Sequence, residues 1–197
     1  MMTLSRLGIA AVAAGLLLVG CGLETGSGTL VTEVRNFSSF DRISASDGVR
    51  VEITVVADAE PGVTVRYDDN IIDNLVTRLD GSTLVIEFVG NVNVAGGNRA
   101  VEVVMPELVG IDASGGASVK ATGRVAAYTI EASGGAVVSA GELEAVDVDV
   151  DASGGATVRV QASSSVTGEA SGGASVKVRG NPPSVRVNTS GGATVDA

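Results

Sequence analysis

A five-residue phrase returns five times in the C-terminal half of this chain, and its spacing restricts the fold more than any other feature. Ala113-Ser114-Gly115-Gly116-Ala117 recurs at 132–136, 152–156 and 170–174, and again at 189–193 with Thr189 in the leading place. The motif serines stand at 114, 133, 153, 171 and 190, in steps of 19, 20, 18 and 19. A near-constant period of this size is the mark of a solenoid, whose single coils cannot bury an apolar face alone.

Within each repeat the apolar residues alternate. If Val119 points inward, so do Ala117 and Ala121, and Ser118, Lys120 and Thr122 point outward. The same phase gives inward sets Ala136, Val138 and Ala140, then Val146, Val148, Val150 and Ala152, then Ala156, Val158 and Val160. Ala174, Val176 and Val178 follow, and then Val185, Val187, Ala193 and Val195. Small and β-branched residues suit a narrow core. Paired glycines (Gly115-Gly116, Gly134-Gly135, Gly154-Gly155, Gly172-Gly173 and Gly191-Gly192) suit a corner that needs positive φ. The motif serines, Ser114 first among them, are expected to tie that corner by bonding nearby backbone. The predicted fold is all-β, a parallel β-helix with coils of about 19 residues in the C-terminal half.

Upstream the period is two from Leu30 onward. Val49, Val51, Ile53 and Val55 alternate with polar residues; Val63, Val65 and Tyr67 do so again, and later Leu84, Ile86 and Phe88, then Val101, Val103 and Met105. These strands are expected to form wider N-terminal coils. Residues 69–75 predict one helical turn capped by Asp69 or Asn70.

The N-terminus carries an address. Gly8 to Val19 is an apolar run too short to span a bilayer comfortably, and Leu18-Val19-Gly20-Cys21 resembles a bacterial lipobox. The expected organisation is a lipoprotein signal peptide over 1–20, a lipidated tether over 21–33 with Cys21 as the lipid anchor, and a β-helical domain over 34–197. Acyl chains on Cys21 would make the membrane the first partner. The same reading expects a bacterial cell-envelope location, at the outer membrane if the organism has one.

Composition excludes several functions. The chain has no histidine, which removes Ser-His and Cys-His catalysis and histidine-based zinc sites. A net charge of −10 speaks against nucleic acid as a partner. Cys21 is the sole cysteine, so no internal disulfide forms.

Aligning the repeats places Asp112, Glu131, Asp151 and Glu169 in one outer column, followed by Asn188. A second column holds Lys120, Ser139, Arg159, Lys177 and Asp196. Unit charges about 4.8 Å apart repel by about 0.9 kcal/mol even in water. Calcium or a basic partner surface would relieve the acidic column, so it is the candidate cation or partner surface, with Lys120, Arg159 and Lys177 as a candidate basic contact column. No catalytic residues, resident metal or cofactor are expected beyond that calcium alternative.

Phe40-Asp41-Arg42-Ile43, the alternating stretch 49–55, the turn at 69–75, Thr83 to Ile86, Val103 to Leu108 and the serial S-G-G-A come in a familiar order. Together they resemble the head GIN domain family, auto-transporter adhesins often found on bacterial lipoproteins, over approximately 34–197. The resemblance implies a right-handed parallel β-helix in the cell envelope. The function expected is a non-enzymatic, envelope-anchored binding, adhesion or structural module that meets an envelope protein or polysaccharide. A self-assembling scaffold, with a homo-oligomer as its product, is one alternative. A calcium-dependent polysaccharide lyase or hydrolase is the other, disfavoured by the near absence of aromatic platforms for sugars.

Overall fold

The structure is a computed structural model that describes residues 24–94 and 97–197. Residues 1–20 and Cys21, where the signal peptide and lipid anchor are expected, lie outside the described residues.

Alternation of apolar and polar side chains is realised as strand almost throughout. The N-terminal strands are β1 (Glu24–Thr25), β2 (Leu30–Arg35), β3 (Arg42–Ala45), β4 (Arg50–Val55) and β5 (Gly62–Asp68). Next come β6 (Leu75–Asp80), β7 (Thr83–Phe88), β8 (Val92–Asn93) and β9 (Ala100–Met105). The repeats supply β10 (Gly110–Ala113), β11 (Ser118–Arg124), β12 (Ala127–Ala132) and β13 (Val137–Ala152). They continue as β14 (Thr157–Ala170), β15 (Ser175–Arg179), β16 (Ser184–Thr189) and β17 (Thr194–Asp196). Among the described residues the one helical element is a 3-10 turn over Ile72–Asn74. The protein is all-β.

All strands except β1 and β8 belong to one strongly curled 15-stranded sheet. Each repeat contributes a strand before its S-G-G-A corner and another after it, and both pair in parallel with their counterparts one repeat away. Before the corner, Asp112 lies beside Glu131, Glu131 beside Asp151, and Asp151 beside Glu169. After it, Lys120 lies beside Ser139, Ser139 beside Arg159, and Arg159 beside Lys177.

Two findings depart from the expected run of N-terminal coils. First, spatial order is not chain order: β3 and β4 lie between the repeats and the pair β7 and β9, which comes later in sequence. Second, the sheet is mixed. Strands β2, β5 and β9 are antiparallel, as are β6 and β7. Hairpin-like returns fold these strands over the far end of the stack and close it. That end is plugged by charge: Glu33 and Arg35 sit on the β2 side that faces the core, and Arg35 donates to Leu75 O at 2.6 Å and Ile72 O at 3.3 Å. Inward charges on an edge strand also discourage pairing with another chain.

The core follows the predicted alternation. Val119, Val138, Val158 and Val176 stack with almost no exposure. Val146 is a correction, being 47% exposed, because the register slips between Ala145 and Asp147 and turns it outward. Val185, Val187, Ala193 and Val195 are only half-buried, since nothing among the described residues pairs beyond β16 and β17.

Candidate functional site

Stacking in register builds a groove of about 430 Å³ beside the S-G-G-A corners. Asp112, Glu131, Asp151 and Glu169 line it with Ser114, Ser133, Ser153 and Ser171. All four carboxylates of the predicted acidic column are brought together, on consecutive coils. Ser44 continues the column on one side and Asn188 on the other. Adjacent carboxylates are one coil apart, about 4.8 Å, and largely exposed, so water screens much of their repulsion. Among the described residues no group of three carboxylates converges closely enough to hold a metal ion.

The corner owes its shape to backbone. Ala117 N–H donates to Ser114 O at 2.9 Å, and Ala136, Ala156 and Ala174 repeat the bond to Ser133, Ser153 and Ser171 at 3.2 Å. It is the serine carbonyl that ties the turn. The hydroxyls of Ser114, Ser133, Ser153 and Ser171 make no bond to another protein group among the described residues and face the groove. Each coil thus offers one carboxylate and one free hydroxyl.

Glycine is needed at the first G for a definite reason. Gly154 has φ of 63°, and a Cβ there would lie 3.1 Å from Gly134 O. The next glycine bonds upward, with Gly155 N–H donating to Gly134 O at 2.6 Å and Gly173 N–H to Gly154 O at 2.7 Å. Corners stack as a ladder of their own.

A sixth corner escapes the period. Ser46-Asp47-Gly48-Val49 has the same bond, Val49 N–H to Ser46 O at 3.2 Å, and receives Ser114 N–H on Ala45 O at 3.0 Å. The signal was Ala45 to Val49 (ASDGV), a degenerate copy of ASGGA, standing 68 residues before its neighbour rather than about 19.

The basic column is also assembled, though its charge is largely answered. Lys120 pairs with Glu142 at 3.0 Å and Lys177 with Asp196 at 2.6 Å. The Lys177 ammonium, by hydrogen bond and charge, holds the Asp196 carboxyl below its ordinary range. In register the column reads Glu102, Glu52, Lys120, Ser139, Arg159, Lys177, Asp196, so acids bracket it at both ends. It offers a mixed surface rather than a cationic one.

Asp69 and Asn70 do not cap the 3-10 turn, whose N-cap residue is Ile71 with no side-chain bond. They bind the N-terminal segment instead. Asn70 accepts from Ser27 N–H at 2.8 Å and donates to Thr25 O at 3.0 Å, and Asp69 accepts from Ser27 Oγ. Asp68 is fully buried and takes Gly28 N–H at 2.8 Å and Arg99 Nη2 at 2.6 Å, with Arg99 Nε on its other oxygen. The Arg99 hydrogen bond is the main cause holding the Asp68 carboxyl below the usual range, partly offset by desolvation. Residues 24–29 are therefore fastened to the domain, although they fall within the stretch expected as a tether.

Strands of successive repeats paired in register, free hydroxyls and a carboxylate row define a repeat-built, all-β protein with a continuous outer groove. The chain belongs to the head GIN domain family: the family described as "Putative auto-transporter adhesin, head GIN domain" matches residues 39–132 and again 92–182. Two overlapping matches are what a repetitive stack produces, since one coil can stand for another. Among solved structures, a "putative adhesin" from Bacteroides fragilis NCTC 9343 is 19% identical, with TM-score 0.49, over 87% of this chain and 98% of that one. A "Putative lipid binding protein" from Parabacteroides distasonis ATCC 8503 is 16% identical, with TM-score 0.41, over 87% and 98% of the two chains. A "putative adhesin" from Parabacteroides merdae ATCC 43184 is 13% identical, with TM-score 0.43, over 87% and 97%. No curated protein matches the chain.

Proposed function

We propose that this protein is a non-enzymatic, lipid-anchored envelope module, held by Cys21, whose acidic groove is a contact surface for an envelope polymer or protein. The adhesin description of its family supports a cell-surface role of this kind. The parallel, in-register pairing of successive repeats supports reading the stack as a right-handed parallel β-helix, a rigid body that presents the groove. No described helix is long and apolar enough to cross a membrane, and attachment through acylated Cys21 needs none.

The observation that carries the reading is the groove itself. It repeats one carboxylate and one unbonded hydroxyl on each of four coils. Such a row suits an extended partner that offers basic or hydroxyl groups at a similar repeat. It holds no Ser-His or Ser-Lys pair, because the chain has no histidine and no lysine lines the groove.

The test is capture from envelope extract by the wild-type protein and by a variant with Asp112→Asn, Glu131→Gln, Asp151→Asn and Glu169→Gln. The expected result is a loss of capture of tenfold or more, together with a higher melting temperature at low salt that disappears as salt screens the row. Capture that survives the neutralised row would move the contact surface elsewhere.

A further inference from the structure

The first described residues do not behave as a leash. Glu24 N–H donates to Asn91 O at 2.9 Å, and β1 runs parallel to β8. Ser27, Gly28 and Thr29 are then held by Asn70, Asp68 and Asp69 N–H, respectively. This strap lies over the buried Asp68–Arg99 pair, packed so closely that a Cβ on Gly26 would meet the Asp68 carboxylate. Between Cys21 and Glu24 the sequence holds only Gly22 and Leu23. Three virtual bonds reach about 10 Å when fully extended.

We infer that the closed end of the stack, built from β2, β5, β6 and the strap, is the surface that rests on the bilayer, with the open end at β16 and β17 directed away from it. The inference rests on the lipid anchor proposed above. A link of about 10 Å keeps the strapped corner at headgroup level. The strap is attached at β8, between β7 and β9, which form the outermost parallel coil at the closed end. The coil of β16 and β17 is six steps away, roughly 29 Å at about 4.8 Å per step.

Two further observations agree. Among the described residues, five of the six large apolar side chains that are exposed, Leu30, Val34, Val56, Val89 and Val104, belong to the closed end or its first two coils, with Val146 as the exception. They offer apolar contact where lipid would be met. The acidic row begins only on the third coil, after Val85 and Ser44. Standing on the closed end leaves the groove accessible.

The experiment uses the full-length chain processed in a bacterial host and placed in phosphatidylethanolamine–phosphatidylglycerol vesicles containing headgroup nitroxide lipid. Acylation blocks the Cys21 thiol, so a fluorophore attaches only at an added cysteine, Val34→Cys at the closed end or Thr194→Cys at the open end. Both positions are exposed, and circular dichroism checks the fold of each variant. The expected result is at least threefold stronger quenching at position 34 than at 194. A fifteen-residue Gly-Ser insertion between Leu23 and Glu24 then reduces position 34 to the level of 194. Equal quenching at the two sites, or quenching at 34 that ignores the insertion, overturns the orientation. Intact mass separates the two ideas: an unacylated chain ends both the anchor and the orientation, whereas an acylated chain with equal quenching ends only the orientation.

Discussion

Gly168→Ala is expected to lower stability by about 4 kcal/mol, enough to remove much of the folded population of a domain this size. Gly168 lies inside β14 rather than at a corner, with φ of 130°, a value that a residue with a side chain rarely adopts. Its missing Cβ leaves room for the coil above. An added Cβ would collide with the Val150 carbonyl oxygen and approach Val150 N to 2.8 Å, so backbone rather than a flexible side chain would have to move. Gly135→Ala is the matched control. Gly135 is the second glycine of its corner, has no positive φ, and would bring its Cβ within 4 Å of nothing. Thermal melts should show a fall on the order of 10 °C for Gly168→Ala and almost no change for Gly135→Ala. Equal melting temperatures for the two would mean that the coils are not stacked as described.

Asp68→Ala is expected to cost about 3 kcal/mol, because it leaves Arg99 without its bidentate carboxylate and Gly28 N–H without its acceptor. The strap should loosen with it, and amide exchange at residues 24–29 should rise well before the repeats are affected. The pH dependence has a definite sign. Asp68 has a depressed pKa in the folded protein, so its stabilisation is complete above the ordinary carboxylate range near about 4. It is lost as the pH falls through the lower folded value. Asp68→Asn should therefore flatten the acid limb of stability against pH. A variant whose acid limb matches wild type would show that the pair contributes nothing to the acid sensitivity.

The repeats were legible because their information is local. A strand's inward face follows from alternation, and coil register follows from the motif spacing, so Asp112, Glu131, Asp151 and Glu169 could be aligned without coordinates. The closed end was not legible in the same way. Placing β3 and β4 between β10 and β11 on one side and β7 and β9 on the other depends on pairings across tens of residues, which leave no local pattern. Val146 shows the limit within the repeats, where one slip of register reverses a side chain that alternation had placed inside. The strap was hidden for a different reason. Residues 22–28 have the Gly-rich, polar composition of a tether, and the partners that fix the described part of this stretch, Asp68, Asp69 and Asn70, lie forty or more residues away.

The central claim is that each S-G-G-A phrase closes one coil and that consecutive coils stack in register, lining the carboxylates up in a single groove. Disulfide trapping in a Cys21→Ser chain tests it most directly. Glu131→Cys with Asp151→Cys, and Asp151→Cys with Glu169→Cys, join neighbouring rungs whose Cα separation of about 4.8 Å lies within disulfide reach. Glu131→Cys with Glu169→Cys skips a rung, at about 9.6 Å, and lies beyond that reach. The account predicts rapid cross-linking of the two neighbouring pairs and none of the third. Cross-linking of the third pair, or of none, would contradict it.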